Sequence, residues 1–225
     1  MNPASKALIC GRPQFASPEL VALAATGAVQ EAWSRAFADK GSAAPADVTG
    51  GFAVGLILPD GRSFCAVDRF AIHSLCYRIV GGQLRFAARA DELAQAAADI
   101  GAQLDPQALF DYLYFHVIPS PRTVFKDVQR LPPGHCLSFE NGRLTVAPYW
   151  TPKFKPQPAR SANFDALKAE FRALMQKAVA RQLDGGKAAC FLSGGTDSST
   201  VAGMVGLAAG KPAATYSIGD RKSVV

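Results

Sequence analysis

The stretch Cys190-Phe-Leu-Ser-Gly-Gly-Thr-Asp-Ser-Ser-Thr200 decides the fold of the C-terminal part of this chain. Apolar residues from 188 to 192 predict a short buried strand, and small residues from Val201 to Ala209 predict a helix that ends at Gly210. Between them, two adjacent glycines allow positive φ angles and a close approach of the backbone to a ligand. A strand, a glycine turn and a helix in this order are typical of the phosphate-binding units of α/β proteins.

The turn itself offers the groups that a phosphate needs. Successive N–H groups form an anion nest, and the start of the helix adds partial positive charge. Four hydroxyls are further donors, and they belong to Ser193, Thr196, Ser198 and Ser199. Asp197 would repel a bare phosphate, so we interpret it as a ligand of Mg²⁺, which takes carboxylate and phosphate oxygens together.

Two other phosphate-binding turns do not fit this stretch. No lysine follows the glycines, as G-x-x-x-x-G-K-[ST] requires, and the spacing is not G-x-G-x-x-G. The pattern S-G-G-x-D-S-S resembles the pyrophosphate loop of ATP pyrophosphatases. A Ser/Gly-rich linker or an ordinary turn between a strand and a helix is the alternative. Linkers, however, rarely lie between a buried-strand pattern and a helix, and they seldom carry one aspartate among hydroxyls.

The amino-acid composition limits the classes of protein to which this chain can belong. The 225 residues are 49% hydrophobic and 19% charged, which is typical of a globular chain of one or two domains. The net charge of +6 is spread without a basic run, so we expect no nucleic-acid partner. No apolar run reaches the roughly 18 residues of a membrane span, so we expect no membrane partner. Five cysteines without C-x-x-C spacing and three histidines without metal-ligand spacing predict reduced thiols and a cytoplasmic location.

Upstream of residue 150, the patterns predict a mixed domain. We expect a strand within 8–15 and one or two helices within 18–40, broken near Gly27. Turn residues predict hairpins at 52–67, 75–87 and 136–147, the last through Asn141-Gly142. Helices are predicted over 90–100 and from Asp105 onward. The apolar face of the latter helix is predicted to comprise Leu109, Phe110, Leu113 and Tyr114.

Downstream of residue 150, the patterns predict the beginning of a parallel sheet. A helix over about 164–183, capped by Asn163 or Ser161, carries an apolar stripe that we expect to pack on that sheet. The run 213–218 is predicted to be the next parallel strand after the one that precedes the phosphate turn.

Together with what precedes the turn, the chain resembles the asparagine synthetase family from about Gly50 to Gly219. The resembling segments are Gly51-Phe-Ala-Val-Gly-Leu-Ile57, Val67-Asp-Arg-Phe-Ala-Ile-His-Ser-Leu-Cys-Tyr77, Pro119-Ser-Pro-Arg-Thr-Val-Phe125, Arg130-Leu-Pro-Pro-Gly-His135 and Tyr149-Trp150. The second of these resembles the family's R-D-R-x-G-x-x-P-L-Y-Y segment. The resemblance implies an α+β glutaminase-like domain of degenerate N-terminal-nucleophile type, followed by the start of an α/β parallel-sheet ATP pyrophosphatase domain.

The implied domains are a shortened glutaminase-like domain at 1–150, a linker at 151–162 and a truncated pyrophosphatase domain at 163–219. The resemblance implies that ATP and Mg²⁺ are the cofactors, and that Asp197 is the magnesium ligand. The implied nucleotide-binding residues are Leu192, Ser193, Gly194, Gly195, Thr196, Asp197, Ser198, Ser199 and Ile218. The implied substrates are an aspartate-like small-molecule or peptide carboxylate and ammonia or an amine donor. A homodimer is implied for the full-length protein.

The N-terminus departs from the family pattern. Family members begin, after removal of Met, with a cysteine that hydrolyses glutamine, whereas this chain begins Met1-Asn2-Pro3. Cys10 is internal, so we assign it a core or turn role, and we expect no catalytic residue within the chain. Segments of the R-x-S-I and N-G-E-I-Y-N types are also missing. Two alternatives therefore stay open: an enzyme that closes β-lactam rings or cyclises lasso peptides, and a non-catalytic binding protein left by degeneration.

The C-terminus also departs from the pattern. The residues Asp220-Arg-Lys-Ser-Val-Val225 match the in-frame translation of a widely used sequencing adapter. We expect a non-native tail at 220–225, a natural sequence that ends near Gly219 in this record, and a catalytic C-terminal half that is missing. A genuine short basic tail is the alternative.

We predict from the N-terminal departure that incubation of this chain with glutamine releases no glutamate above background. A coupled glutamate dehydrogenase assay measures this release directly. Mature protein that begins at Cys10 and hydrolyses glutamine would contradict the prediction.

Overall fold

The computed structural model describes residues 7–95, 103–154, 163–183 and 188–219. The chain divides into two compact units, Met1–Lys153 and Phe154–Val225. The end of the helix predicted over 90–100, most of the predicted linker and the predicted tail 220–225 lie outside the described residues.

The elements of the first unit are numbered along the chain. Its strands are β1 (Ala7–Gly11), β2 (Gln14–Phe15), β3 (Val48–Thr49), β4 (Phe52–Ile57), β5 (Ser63–Val67), β6 (Cys76–Val80), β7 (Gln83–Ala87), β8 (Gln129–Arg130), β9 (His135–Glu140) and β10 (Arg143–Pro148). Its helices are α1 (Pro18–Ala25), α2 (Val29–Lys40), α3 (Ala90–Gln95) and α4 (Pro106–Phe115), with a 3-10 helix at Gly41–Asp47.

A five-stranded antiparallel sheet in the order β1-β4-β5-β9-β10 is the centre of the first unit. The predicted tight turn between β9 and β10 is confirmed, because Asn141 and Gly142 both have positive φ angles, of 50° and 75°. Alternation along β4 divides its side chains between the two faces of the sheet. Phe52 packs with Trp33 of α2 at 5.0 Å between ring centroids, whereas Ala53 belongs to the core on the opposite face.

The second face of this sheet packs on a smaller antiparallel sheet in the order β7-β6-β8. Tyr77, Leu84 and Phe86 of the small sheet share a core with Leu137 of β9. Gly55 on β4 makes this packing possible, because a Cβ atom there would lie 2.6 Å from the ring of Phe86. Helix α3 packs on β6 and β7, so the first unit has the layers helix, sheet, sheet, helix.

Asp68, directly after β5, is the polar centre of the first unit. Its side chain is buried and accepts backbone N–H bonds from Phe52 at 3.1 Å, Phe70 at 2.9 Å and Ile72 at 3.0 Å. Its carbonyl oxygen accepts the N–H groups of Ala71 and Gly134. One residue thereby joins the beginning of β4, the loop after β5 and the turn before β9.

Ala71 lies in this loop with a φ of 49°, in the left-handed region that favours glycine. The family segment that this stretch resembles has glycine at the corresponding place, so alanine here is strained. The loop keeps the left-handed conformation because Asp68 holds the N–H groups on both sides of Ala71.

Helix α4 begins where it was predicted to begin, but its apolar face is not part of the core. Asp105 caps it as predicted, accepting the N–H of Gln107 at 2.9 Å, and Pro106 is its first residue. The predicted apolar face, however, is exposed: Leu113 is 76% and Tyr114 is 69% accessible. The buried side holds Ala108 and Asp111 instead, because Gln107 donates to the Asp111 carboxylate and the Arg122 guanidinium lies 3.7 Å from it.

The second unit consists of α5 (Phe164–Ala180), β11 (Ala189–Phe191), α6 (Thr196–Ala209) and β12 (Ala214–Tyr216). Strands β11 and β12 pair in parallel, as predicted, with Cys190 opposite Thr215. Asn163 caps α5 as predicted, accepting the N–H groups of Asp165 and Ala166. The apolar stripe of α5, expected to pack on a sheet, has no buried residue within 164–180, because two strands of three residues are too small to cover it.

We predict that Asp68→Asn destabilises the first unit by about 2–4 kcal/mol, since an amide nitrogen replaces a buried acceptor of backbone N–H groups. Urea unfolding followed by tryptophan fluorescence measures this unit alone, because both tryptophans, Trp33 and Trp150, lie in it. Asp60→Asn is the matched control: Asp60 also accepts a backbone N–H, but in an exposed turn, so we expect a change below about 0.5 kcal/mol. Equal stability of the two variants would contradict the role of Asp68.

Candidate functional site

The candidate site lies where β11 ends and α6 begins. The N–H of Leu192 donates to the Tyr216 carbonyl oxygen at 2.8 Å, so parallel pairing continues one step past the strand. The chain then turns through 193–195, and α6 begins at Thr196, five residues earlier than predicted. Gly195 is the N-cap and supplies no side-chain cap, and the first turn of the helix is polar, so a prediction from apolar spacing placed the start too late.

The two glycines of the turn have different conformations. Gly194 has a φ of 80°, which favours glycine, whereas Gly195 has φ −78° and ψ 164°, which any residue adopts. A Cβ atom on Gly195 would meet only the Ser193 hydroxyl, at an ordinary 3.5 Å. The space beside Gly195 is therefore open, as a site for a phosphate group requires.

The serine hydroxyls of the first helical turn are engaged with the backbone. Ser199 Oγ donates to the Gly195 carbonyl oxygen at 2.8 Å, and Ser198 Oγ donates to the same oxygen at 3.2 Å. Ser198 Oγ also accepts the Ser193 N–H at 3.3 Å. The Ser193 hydroxyl lies 3.0 Å from Ser198 Oγ, so three of the four hydroxyls predicted as phosphate donors have partners within the turn.

The turn also holds donors that have no partner in the described part of the chain. Among the described residues, no hydrogen bond engages the N–H groups of Gly194 and Gly195 or the hydroxyl of Thr196. The first N–H groups of α6 have no partner one turn earlier, as at any helix start, and the helix dipole adds positive charge there. The open side of the turn thus presents unpaired donors to an anion.

Asp197 lies in the first turn of α6 and is exposed. Within the described ranges its carboxylate has no ion pair or hydrogen bond, and no group of three or more His, Cys, Asp or Glu side chains is placed to hold a metal ion. A cation at this site would therefore have a single protein carboxylate and would take its other ligands from a bound anion and from water.

Leu192 and Ile218 follow the two parallel strands at the same edge of the sheet. Leu192 is half-buried directly after β11, and Ile218 is 92% exposed two residues after β12. The structure therefore brings the predicted residues 192–199 and 218 to one edge. It also shows Ser217, whose hydroxyl donates to the Leu192 carbonyl oxygen at 2.7 Å; sequence analysis missed this contact because it joins residues 25 positions apart.

The cysteines of the first unit lie at positions that belong to the fold, not at a reactive site. Cys10 lies in β1 opposite Ala53 and is half-buried, in agreement with the core role assigned to it. Burial raises the pKa of the Cys65 thiol, and desolvation likewise raises the pKa of Cys76 and of Cys136. Neutral thiols are poor nucleophiles, so none of these three buried cysteines has the features of an activated group.

No helix in the described ranges is both long enough and apolar enough to cross a membrane.

Comparison with known proteins gives two family matches in chain order. The model of the glutamine amidotransferase domain matches residues 25–150, which is more than half of the chain. The model of asparagine synthase matches residues 170–223. The first match confirms the glutaminase-like class predicted for the first part of the chain, and the second lies in the unit that carries the glycine turn at 193–195.

Two of the individual relatives found by sequence comparison are named asparagine synthetases. Asparagine synthetase [glutamine-hydrolyzing] 3 of Bacillus subtilis is 32% identical over 164 residues, which cover 69% of this chain and 26% of that protein. A putative asparagine synthetase [glutamine-hydrolyzing] of Mycobacterium tuberculosis is 28% identical over 63% of this chain and 22% of that protein. The chain thus spans about a quarter of the length of these curated relatives.

Among solved structures, glutamine phosphoribosylpyrophosphate amidotransferase from B. subtilis aligns with this chain at 12% identity and a TM-score of 0.37. The alignment covers 98% of this chain and 48% of the amidotransferase chain. A structural similarity with so low a TM-score carries no argument, so the family assignment depends on the sequence matches. The two family models and the curated relatives agree with each other. The chain therefore belongs to the asparagine synthetase family, with a glutamine amidotransferase domain followed by an asparagine synthase segment.

Proposed function

We propose that this chain is part of an ATP-dependent amide ligase, and that its turn at 192–199 binds the phosphates of ATP. The observation that carries the proposal is the open glycine turn at the start of α6. The N–H groups of Gly194 and Gly195 have no partner within the described ranges, and an exposed Asp197 lies beside them. The family membership of the chain supports the same activity. The substrate that we propose is an aspartate-like carboxylate, and the nitrogen donor is ammonia or an amine.

The proposed reaction has two steps. A carboxylate oxygen of the substrate attacks the α-phosphorus of ATP, the bond between the α- and β-phosphates breaks, and pyrophosphate leaves with the electron pair. The amine nitrogen then attacks the activated carbonyl carbon, loses a proton, and displaces AMP. A carboxylate is a poor electrophile and AMP is a good leaving group, so the first step makes the second possible.

The residues of the turn fit the leaving pyrophosphate. Donors fixed in place before the reaction stabilise negative charge without reorganising, and the N–H groups of this turn are fixed by the braces of Ser198 and Ser199. Mg²⁺ held by Asp197 would neutralise phosphate charge as the bond breaks. Leu192 and Ile218 offer apolar surface at the same edge for the base of the nucleotide.

We predict that Asp197→Ala weakens Mg²⁺-dependent ATP binding at least about tenfold. Even residues that only hydrogen-bond to a metal ligand typically cost about tenfold or more in metal affinity when they are mutated, and Asp197 is proposed to be a ligand itself. Calorimetry with ATP in excess Mg²⁺ measures this change. In EDTA, which removes free Mg²⁺, the variant should bind ATP at least as well as the wild type, because a carboxylate without a cation repels phosphate.

Asp165→Ala is the matched control, since Asp165 is also an exposed aspartate in the first turn of a helix of this unit. We expect it to bind ATP as the wild type does. Equal Mg²⁺ dependence of the wild type and Asp197→Ala would contradict the assignment of Asp197.

We predict that Gly195→Val abolishes ATP binding while the second unit stays folded. The backbone angles of Gly195 suit valine, and the added side chain would enter the space proposed for phosphate. Gly203→Val on the same helix, where an added Cβ meets nothing within 4 Å, is the control and should bind ATP normally. Unchanged calorimetric titrations of both Gly195→Val and Asp197→Ala would refute the phosphate site.

A further inference from the structure

We infer that Ser217, which lies outside the glycine motif, is a positioning residue that holds the first peptide of the phosphate turn in its binding conformation. The inference rests on the proposed function, because it names a residue that sets the geometry of that same site. It starts from one contact: the Ser217 hydroxyl donates to the carbonyl oxygen of Leu192 at 2.7 Å.

This contact takes the place of a missing sheet bond. Strands β11 and β12 pair in parallel through three residues each, ending at Phe191 and Tyr216. The Leu192 N–H still donates to the Tyr216 carbonyl oxygen at 2.8 Å, and there the backbone pairing stops. In the described part of the chain, the Leu192 carbonyl oxygen takes no backbone N–H, and the Ser217 hydroxyl fills that position.

The result is a peptide group held from both sides. The peptide between Leu192 and Ser193 has its carbonyl oxygen on Ser217 Oγ at 2.7 Å and its N–H on Ser198 Oγ at 3.3 Å. Ser198 belongs to the motif and to α6, whereas Ser217 follows the neighbouring strand. The two serines therefore fix the plane of the first peptide of the turn from two different elements.

The direction of that peptide decides where the later donors lie. Gly194 follows two residues after Leu192 with a φ of 80°. Its N–H and that of Gly195 have no partner among the residues that the structure describes, and they lie on the open side of the turn. Rotation of the 192–193 peptide would displace both of these N–H groups, because only the φ and ψ angles of Ser193 and Gly194 lie between that peptide and the two N–H groups. Ser217 thus acts on phosphate through the backbone and does not need to touch it.

The position of Ser217 separates this role from support of the fold. It is exposed and lies beyond the last paired residue of β12, so its loss leaves the three pairs between the strands intact. We therefore expect Ser217→Ala to act on nucleotide affinity more than on stability. The loss of one hydrogen bond of ordinary net strength corresponds to about a two- to tenfold change in affinity.

The experiment compares Ser217→Ala, Ser217→Thr and Thr215→Ala in the whole chain. Thr215→Ala is the matched control, because Thr215 lies in β12 two residues before Ser217 and its hydroxyl makes no hydrogen bond among the described residues. We expect Ser217→Ala to raise the dissociation constant for ATP in Mg²⁺ about two- to tenfold at an unchanged melting temperature. Ser217→Thr restores the hydroxyl and should bind like the wild type, as should Thr215→Ala.

A second measurement distinguishes this inference from the proposed function. Amide hydrogen exchange of the free protein reports the Ser193 N–H directly, and we expect faster exchange in Ser217→Ala but not in Ser217→Thr. If the wild type failed to bind ATP, the proposed function would fail, and this exchange measurement would still decide whether Ser217 holds the turn. Ser217→Ala with wild-type affinity, or with wild-type exchange at Ser193, would overturn the inference.

Discussion

The first unit depends on a buried carboxylate that takes the place of sheet bonds where strands end. Asp68 accepts the N–H groups of Phe52, Phe70 and Ile72, and its carbonyl oxygen accepts that of Gly134. Unpaired backbone groups at this depth would each cost about 1–3 kcal/mol, so one side chain offsets several such penalties. The adjacent Val67 carbonyl oxygen accepts the Tyr149 hydroxyl at 2.7 Å, which ties the end of β10 to the same place.

The second unit uses the same device on a smaller scale. Where β11 and β12 stop pairing, side-chain oxygens take over: Ser217 at the Leu192 carbonyl oxygen, Ser198 at the Ser193 N–H, and Ser199 at the Gly195 carbonyl oxygen. These braces are single hydroxyls on exposed groups, so they fix the local geometry of the turn without adding much stability. The turn proposed to bind phosphate is therefore held by hydrogen bonds, although few of its side chains are buried.

Sequence alone predicted the features that depend on neighbouring residues. The turn at Asn141-Gly142, the cap at Asn163 and the break between α1 and α2 near Gly27 follow from local backbone preferences, and all three are confirmed. Features set by distant partners were missed. The contact of Ser217 with Leu192 requires knowledge of which strands are neighbours, and the exposed face of α4 follows from the burial of Asp111 on its other side. The early start of α6 was missed because its first turn is polar.

The chemistry of a single carboxylate explains why the glycines and Asp197 belong to one motif. Mg²⁺ requires nearly octahedral coordination and gives up its water reluctantly, so one exposed carboxylate holds it weakly. Phosphate, in turn, meets a negative charge at Asp197 unless a cation lies between them. Because the donors at Gly194 and Gly195 attract phosphate and Asp197 attracts the cation, each partner supplies what the other lacks. The proposed site would therefore favour the magnesium complex of the nucleotide over either component alone.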